Sequence, residues 1–263
     1  MGIDITGCVP KTFAQVGVGT QALEPEVEMA VNAVNIFSRM FKAAYPFEAM
    51  KVISAPEQFS WAQAPSSMIY VGQLFLVSDA EVAAWMGANP SEFRGTTVHE
   101  VSHQWWGGRV SSINTFHYWW VEGLAEMSTA IYRRIAEGEQ KYKEKLANWH
   151  ADAMAAEWTG SLLDFQFHNE GVPVIPLHYT KGPMVFHQLS LYFGRPKMEE
   201  FLANLMRFHA GDLISTADVQ RVAEETFGVS LQWYFDDWVR QNGVPEVSYH
   251  IDEPRQAEDG SGW

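Results

Sequence analysis

The chain has 263 residues, 47% hydrophobic and 19% charged, a balance that excludes a largely disordered protein. Its formal net charge of -14, from 18 Lys+Arg against 32 Asp+Glu, argues against phosphate backbones and anionic lipid, so neither nucleic acid nor a membrane surface is an expected partner. A length of this order predicts one large domain built as two lobes, or two tightly packed domains.

The opening MGIDITGCVPKTF has neither the basic nor the apolar region of a signal peptide. No apolar run in the chain approaches the roughly 20 residues of a membrane span. The chain therefore reads as soluble, with its compartment unassigned. Cys8 is the single cysteine, which rules out an internal disulfide and a thiolate metal site.

From Glu24 to Phe41 the apolar residues Val27, Ala30, Val31, Val34, Phe37, Met40 and Phe41 recur at three and four, the period of a packed amphipathic helix. MKVISAP and SMIYVGQLFLVS are strand-like runs, separated by EQFSWAQAPS. Beyond Pro90 the texture is helical. SEFRGTTVHEVSHQWW predicts a helix ending at Gly107-Gly108, and YWWVEGLAEMSTAIYRRIAEG predicts a longer one. EQKYKEKLANWHADAMAAEW reads as a half-exposed helix with a solvated face and no chemistry. Ser215 and Asp218 are placed as a capping box and Gly228 as the stop of the same helix. SLQWYFDDWVRQNGVPEV makes a last helix, closed by Gly243 and Pro245. The expected architecture is α+β, a small mixed α/β lobe followed by a mainly helical one.

The chemistry concentrates in TTVHEVSHQWWGG, where His99 and His103 stand four apart with Glu100 after the first. A helix turns about 3.6 residues per turn, so both imidazoles project from one face and can grip one ion. Zinc suits imidazole nitrogen, and a catalytic site needs three protein ligands with a fourth position open. Glu122 is the candidate third ligand, with eighteen residues between it and His103. Glu100 stands where it can take a proton from water at the metal without being a ligand.

These residues resemble the aminopeptidase N type of gluzincin metallopeptidases, whose catalytic domain is thermolysin-like. HEVSHQWWGG, WWVEGLAE and HYTKGPMVFHQL carry the resemblance, and weaker echoes extend it over roughly residues 25 to 250. It implies one zinc ion held by His99, His103 and Glu122, with Glu100 as general base. Tyr179 matches the tyrosine that donates to the tetrahedral oxyanion, and the implied substrate is a peptide or protein. Glu126, one turn after Glu122, is placed to hold a ligand histidine by its outer N–H, although a surface acid fits that position too. His117, His168, His178 and His187 lack ligand pairing and read as packed or surface histidines. The tryptophan pairs 105-106 and 119-120 read as core and cleft wall.

The implied layout is a lead-in over 1–24 and a catalytic domain over 25–250. Its α/β lobe covers about 25–110 and its helical lobe about 111–245, with zinc in the cleft between them; residues 251–263 form a solvated tail. The family's flanking β-rich and helical domains have no counterpart in the sequence. Two positions depart from the family pattern. Where it carries Gly-Ala-Met-Glu-Asn, whose glutamate binds the substrate's free α-amino group, this chain has SWAQAPSSMIYVG, with no acid between Glu57 and Asp79. Val121 stands where asparagine is common. A buried ammonium needs a carboxylate partner, so aminopeptidase and endopeptidase activity both remain expectations. A non-catalytic zinc-containing peptide-binding module, and hydrolysis of a non-peptide such as an epoxide, are the alternatives.

Overall fold

A computed structural model describes residues 3–8, 23–55, 62–72, 95–156, 160–164 and 177–243. Strands β1 (Asp4–Cys8), β2 (Ala49–Ala55) and β3 (Met68–Gly72) form a sheet in that order. Both pairings are parallel, with Ile5 opposite Met50 and Val52 opposite Ile69. Parallel neighbours need a crossover, and helix α1 (Glu24–Met40), opened by a proline in its first turn, lies between β1 and β2 in the chain. β1 falls within the stretch read from sequence as lead-in. Its alternation is only five residues long and includes Gly7, too little to stand out as a strand.

The helical period of α1 corresponds to burial of Ala30, Val34, Phe37, Met40 and Phe41, whereas Val31 turns outward at 38% exposed. β3 ends at Gly72; the remainder of its apolar run lies outside the described residues, as do His168, Pro245 and the tail.

Helix α2 (Thr96–Ser102) starts after Gly95, whose φ of 108° is left-handed, and ends with His103 as its cap. It is shorter than the sequence predicts. After His103 the chain tightens into turns in which Gln104 N–H donates to Val101 O and Trp105 N–H to Ser102 O. The tightening turns Gln104 toward the 65–68 turn, where its side chain accepts from Ser67 N–H at 2.8 Å and donates to Pro65 O at 3.3 Å. Trp105 likewise donates to Ala43 O at 3.1 Å. Gly107 (φ 100°) then reverses the chain. Gly108 sits so close to the His103 and Gln104 carbonyls that a Cβ would lie 2.8 Å from both.

Helix α3 (Trp119–Glu137) is buried along most of its length and is followed, past Gly138, by α4 (Glu139–Ala156). A wide π-helical turn, Leu177–Lys181, leads into α5 (Gly182–Phe193). α3 and α5 cross at glycine on glycine: a Cβ on Gly123 would meet the Gly182 carbonyl carbon at 2.9 Å. That close crossing holds the Tyr179 turn against the first turns of α3, where Glu122 lies. Helix α6 (Arg195–His209), the short β4 (Ser111–Ser112) and β5 (Leu213–Ile214) pair, and α7 (Thr216–Phe227) complete the support.

The Ser215–Asp218 capping box forms in both directions, and Gly228 ends α7 at φ 76°. Helix α8 (Gln232–Phe235) runs into a second π-helical turn, Asp236–Arg240. Trp105, Trp106, Trp119 and Trp120 are all fully buried, as expected of core. No helix among the described residues is long and apolar enough to cross a membrane.

Candidate active site

The site forms where α2 and α3 pack. His99 Nε2 and His103 Nε2 approach to 2.9 Å, and Glu122 Oε2 lies 3.2 Å from the first and 3.3 Å from the second. The outer ring nitrogens settle what these atoms are. His103 Nδ1 is 2.9 Å from Trp106 O, an acceptor only, so that nitrogen carries the proton. His99 Nδ1 is 3.0 Å from Glu126 Oε1; facing a carboxylate, it carries the proton too. Both Nε2 atoms therefore present lone pairs, and the carboxylate adds a third. Three acceptors converging in a buried space repel one another unless a cation lies between them.

The donor set fits zinc. Ligands at about 2.0–2.1 Å in tetrahedral geometry stand about 3.3 Å apart, and the observed triangle has sides of 2.9, 3.2 and 3.3 Å. Two imidazoles and one carboxylate are nitrogen and oxygen donors of the kind zinc accepts. Among the described residues, His99, His103 and Glu122 form the one group of three or more ionisable side chains with this convergence.

The electrostatics describe the same site with protons in place of metal. Burial would lower His99, but hydrogen bonding and charge from Glu122 and Glu126 outweigh it and push the imidazole up to about 10. His103 is raised against burial by Glu122. Glu122 is driven well below the carboxylate range, against burial, by His103 and His99. Glu126 is held down to about 2, also against burial, by Lys145 and then His99.

Glu100 is 7% exposed. Burial raises its carboxyl, and the charges of His103 and His99 oppose the rise. Tyr179 stacks on His99 with ring centroids 5.7 Å apart at 24°. Burial, with the charges of Glu122 and Glu100, raises its phenol so that it remains a proton donor. The π-helical turn adds a residue to the helical repeat at this point, the kind of local widening that recurs at functional sites. All six residues singled out from the sequence, His99, Glu100, His103, Glu122, Glu126 and Tyr179, thus come together.

Three further residues belong to the neighbourhood. Tyr118, one helical turn before Glu122, has its phenol raised by burial and by the charges of Glu122 and Glu100. A Cβ on Gly107 would lie 3.9 Å from its hydroxyl and 3.8 Å from His103 Nδ1. Its spacing to Glu122 was the available signal. Lys145 and Trp149 reach Glu126 from α4, the helix read from sequence as half-exposed and without chemistry; their mutual spacing of four was the available hint. Of the other described histidines, His150 is exposed, and His117, His178 and His187 make side-chain contacts away from the site. His117 Nδ1 lies 2.9 Å from Thr216 Oγ1, His178 Nε2 lies 3.2 Å from Leu162 O, and Tyr142 Oη lies 2.9 Å from His187 Nδ1.

A small parallel sheet, a helical remainder and a cation cradle on an HExxH helix define the zincin-like class of α+β proteins. The chain belongs to peptidase family M1, whose domain model matches residues 25–238. Aminopeptidase M1-B of Oryza sativa subsp. japonica is 23% identical over 273 residues, covering 99% of this chain and 31% of that protein. Aminopeptidase N of Lactococcus lactis subsp. lactis is 20% identical over 247 residues, covering 91% of this chain and 29% of that protein. The crystal structure of an M1 zinc metallopeptidase from Deinococcus radiodurans superposes with a TM-score of 0.63 at 18% identity, over 88% of this chain and 47% of that one. This chain spans about a third of the length of these curated relatives.

Proposed function

We propose that this chain is the zinc-dependent catalytic unit of an aminopeptidase-type peptidase, with residues 25–250 as a thermolysin-like domain and the zinc between its α/β and helical lobes. The observation that carries the proposal is the convergence of three lone-pair donors, His99 Nε2, His103 Nε2 and Glu122 Oε2, in one buried triangle. When bound, zinc supplies a Lewis acid for the scissile carbonyl and makes water acidic enough to lose a proton near neutral pH. Glu100 takes that proton as the water oxygen attacks the carbonyl carbon, then delivers it to the amide nitrogen as the C–N bond breaks. The products are a carboxylic acid and an amine, which at neutral pH become a carboxylate and an ammonium as the acid's remaining proton passes to the amine, and Glu100 returns to its starting charge. Tyr179 donates to the carbonyl oxygen as it gains negative charge.

The Tyr179 role makes a direct prediction. Tyr179→Phe keeps the ring and its stacking on His99 but removes the donor, so kcat should fall about 10²–10³-fold. KM and zinc content should change little. Steady-state kinetics and metal analysis check this, and a kcat unchanged within twofold would remove Tyr179 from the mechanism.

The assignment to a peptidase rather than a passive zinc-containing module is supported by Glu100 and Tyr179 together. A scaffold has no physical use for a buried acid and an unionised phenol beside its metal. A second reading, endopeptidase, is favoured by the segment 62–72. It reads AQAPSSMIYVG, contains no acid, and is hydrogen-bonded to Gln104, the residue next to His103. Without a carboxylate there, nothing in that segment anchors a substrate ammonium.

Matched peptides with free and acetylated N-termini separate the readings. Zinc-loaded protein is expected to cleave the free peptide, and Glu100→Gln to cleave neither, as followed by mass spectrometry. Equal cleavage of both peptides by the unaltered protein would replace the aminopeptidase reading with an endopeptidase. Cleavage of neither peptide would overturn the peptidase proposal for this chain.

A further inference from the structure

Glu126 divides its two oxygens between two tasks. Oε1 lies 3.0 Å from His99 Nδ1, while Oε2 receives Lys145 Nζ at 2.7 Å and Trp149 Nε1 at 3.1 Å. Lys145 and Trp149 stand one turn apart on α4, with the ammonium 5.8 Å from the indole ring centroid. Contacts from two helices therefore fix the plane of a nearly buried carboxylate, whose side chain is 11% exposed.

This ion pair differs in kind from its neighbours. Lys141–Glu144 on the same helix is local, with both side chains 41% exposed, the type of pair that contributes little. Lys145 instead leaves its own helix, with a side chain only 18% exposed, to reach an acid on α3. The acid it meets is the one that faces a metal ligand.

We propose that Lys145 is a positioning residue for the metal centre: by fixing the carboxylate of Glu126, it holds the His99 ring in the orientation that presents Nε2 to zinc. The proposal rests on the zinc reading given above. It follows from the rigidity of the chain of contacts. A carboxylate held at one oxygen alone swings about its Cγ–Cδ bond, and the ring N–H that it faces loses its fixed partner. With Oε2 locked by an ammonium and an indole N–H, Oε1 stays where the ring needs it. Partners one layer beyond metal ligands orient them and commonly change metal affinity about 10–100-fold.

Lys145 also balances charge, because Glu100, Glu122 and Glu126 together bring three carboxylates to the site and Lys145 is an ammonium in contact with one of them, Glu126. The positioning role and simple charge effects predict opposite results. Removing a cation near Zn²⁺ would tighten zinc by Coulomb attraction alone, whereas removing the support of Glu126 would loosen it.

The test measures the zinc dissociation constant by competition with a chromophoric chelator for the unaltered protein, Lys145→Met, Lys145→Gln, Lys145→Arg and Trp149→Phe. Thermal midpoints of the zinc-free forms report folding separately. Lys145→Met is expected to bind zinc about tenfold more weakly, Lys145→Arg to recover most of that loss, and Trp149→Phe to show a smaller one. If Lys145→Met does not fold, Lys145→Gln carries the comparison, since it is polar and uncharged and its amide nitrogen lies one bond nearer the backbone than the lysine ammonium. Unchanged or tighter zinc binding in the uncharged variants, or no recovery with arginine, would overturn the positioning role while leaving the zinc reading intact. Failure of the unaltered protein to bind zinc would overturn both.

Discussion

Glu100→Gln should bind zinc as the unaltered protein does and lose about 10²–10⁴-fold in kcat. The substitution is nearly isosteric, so the buried packing around position 100 is retained. Glu100 lies outside the triangle of His99, His103 and Glu122, so the ligand set is untouched. What disappears is a group able to accept a proton and return it: an amide can donate or accept a hydrogen bond but does not take up a proton near neutral pH. Because the proton is needed first by the base and later by the leaving amine, both halves of the reaction suffer. Zinc content by elemental analysis together with kcat checks the prediction. Turnover near that of the unaltered protein would remove Glu100 from the proton path.

The second large effect concerns the ligands. Glu122→Gln or His103→Ala leaves two strong donors where zinc needs three. A four-ligand structural site is worth roughly 10–16 kcal/mol of zinc binding, which places each ligand at about 3 kcal/mol. Affinity should therefore drop by about two orders of magnitude, and activity at limiting zinc should vanish. In the metal-free protein His99 is pushed up to about 10, so at neutral pH zinc must displace a proton to bind. Apparent zinc affinity should accordingly rise with pH between 7 and 9, about tenfold per pH unit for each proton released. The sign is opposite for the metal-free fold. A raised histidine contributes stability that is full below its ordinary 6.5 and is lost as pH rises through about 10. Zinc affinity that stays flat with pH would contradict protons occupying the site in the absence of metal.

The sequence by itself determined the parts of this protein that depend on local spacing. Two histidines four apart share a helix face whatever the rest of the chain does, and a glutamate on the following helix can reach them. The capping box of Ser215 and Asp218 is likewise a matter of three residues' separation, and it formed as written. The tryptophan pairs were legible as core because indoles of that size are buried wherever a core exists.

Tertiary structure decided what depends on which face of one element meets another. Position alone allowed Glu126 to be a surface acid; the packing of α3 against α2 turned it toward His99. The α4 segment read as a half-exposed helix without chemistry because charge patterning describes a helix in isolation, whereas the packing of α4 against α3 brought Lys145 and Trp149 to Glu126. The helix that carries His99 and Glu100 ends at Ser102 rather than running to Gly107 because Gln104 and Trp105 are drawn to Ser67 and Ala43, partners some forty and sixty residues away in the chain. Strand β1 exists only because β2 offers it a parallel edge. Periodicity of 3.6 or 2 is written locally, but crossing angles and edge pairing arise from all the packed side chains at once, and no short stretch of sequence contains them.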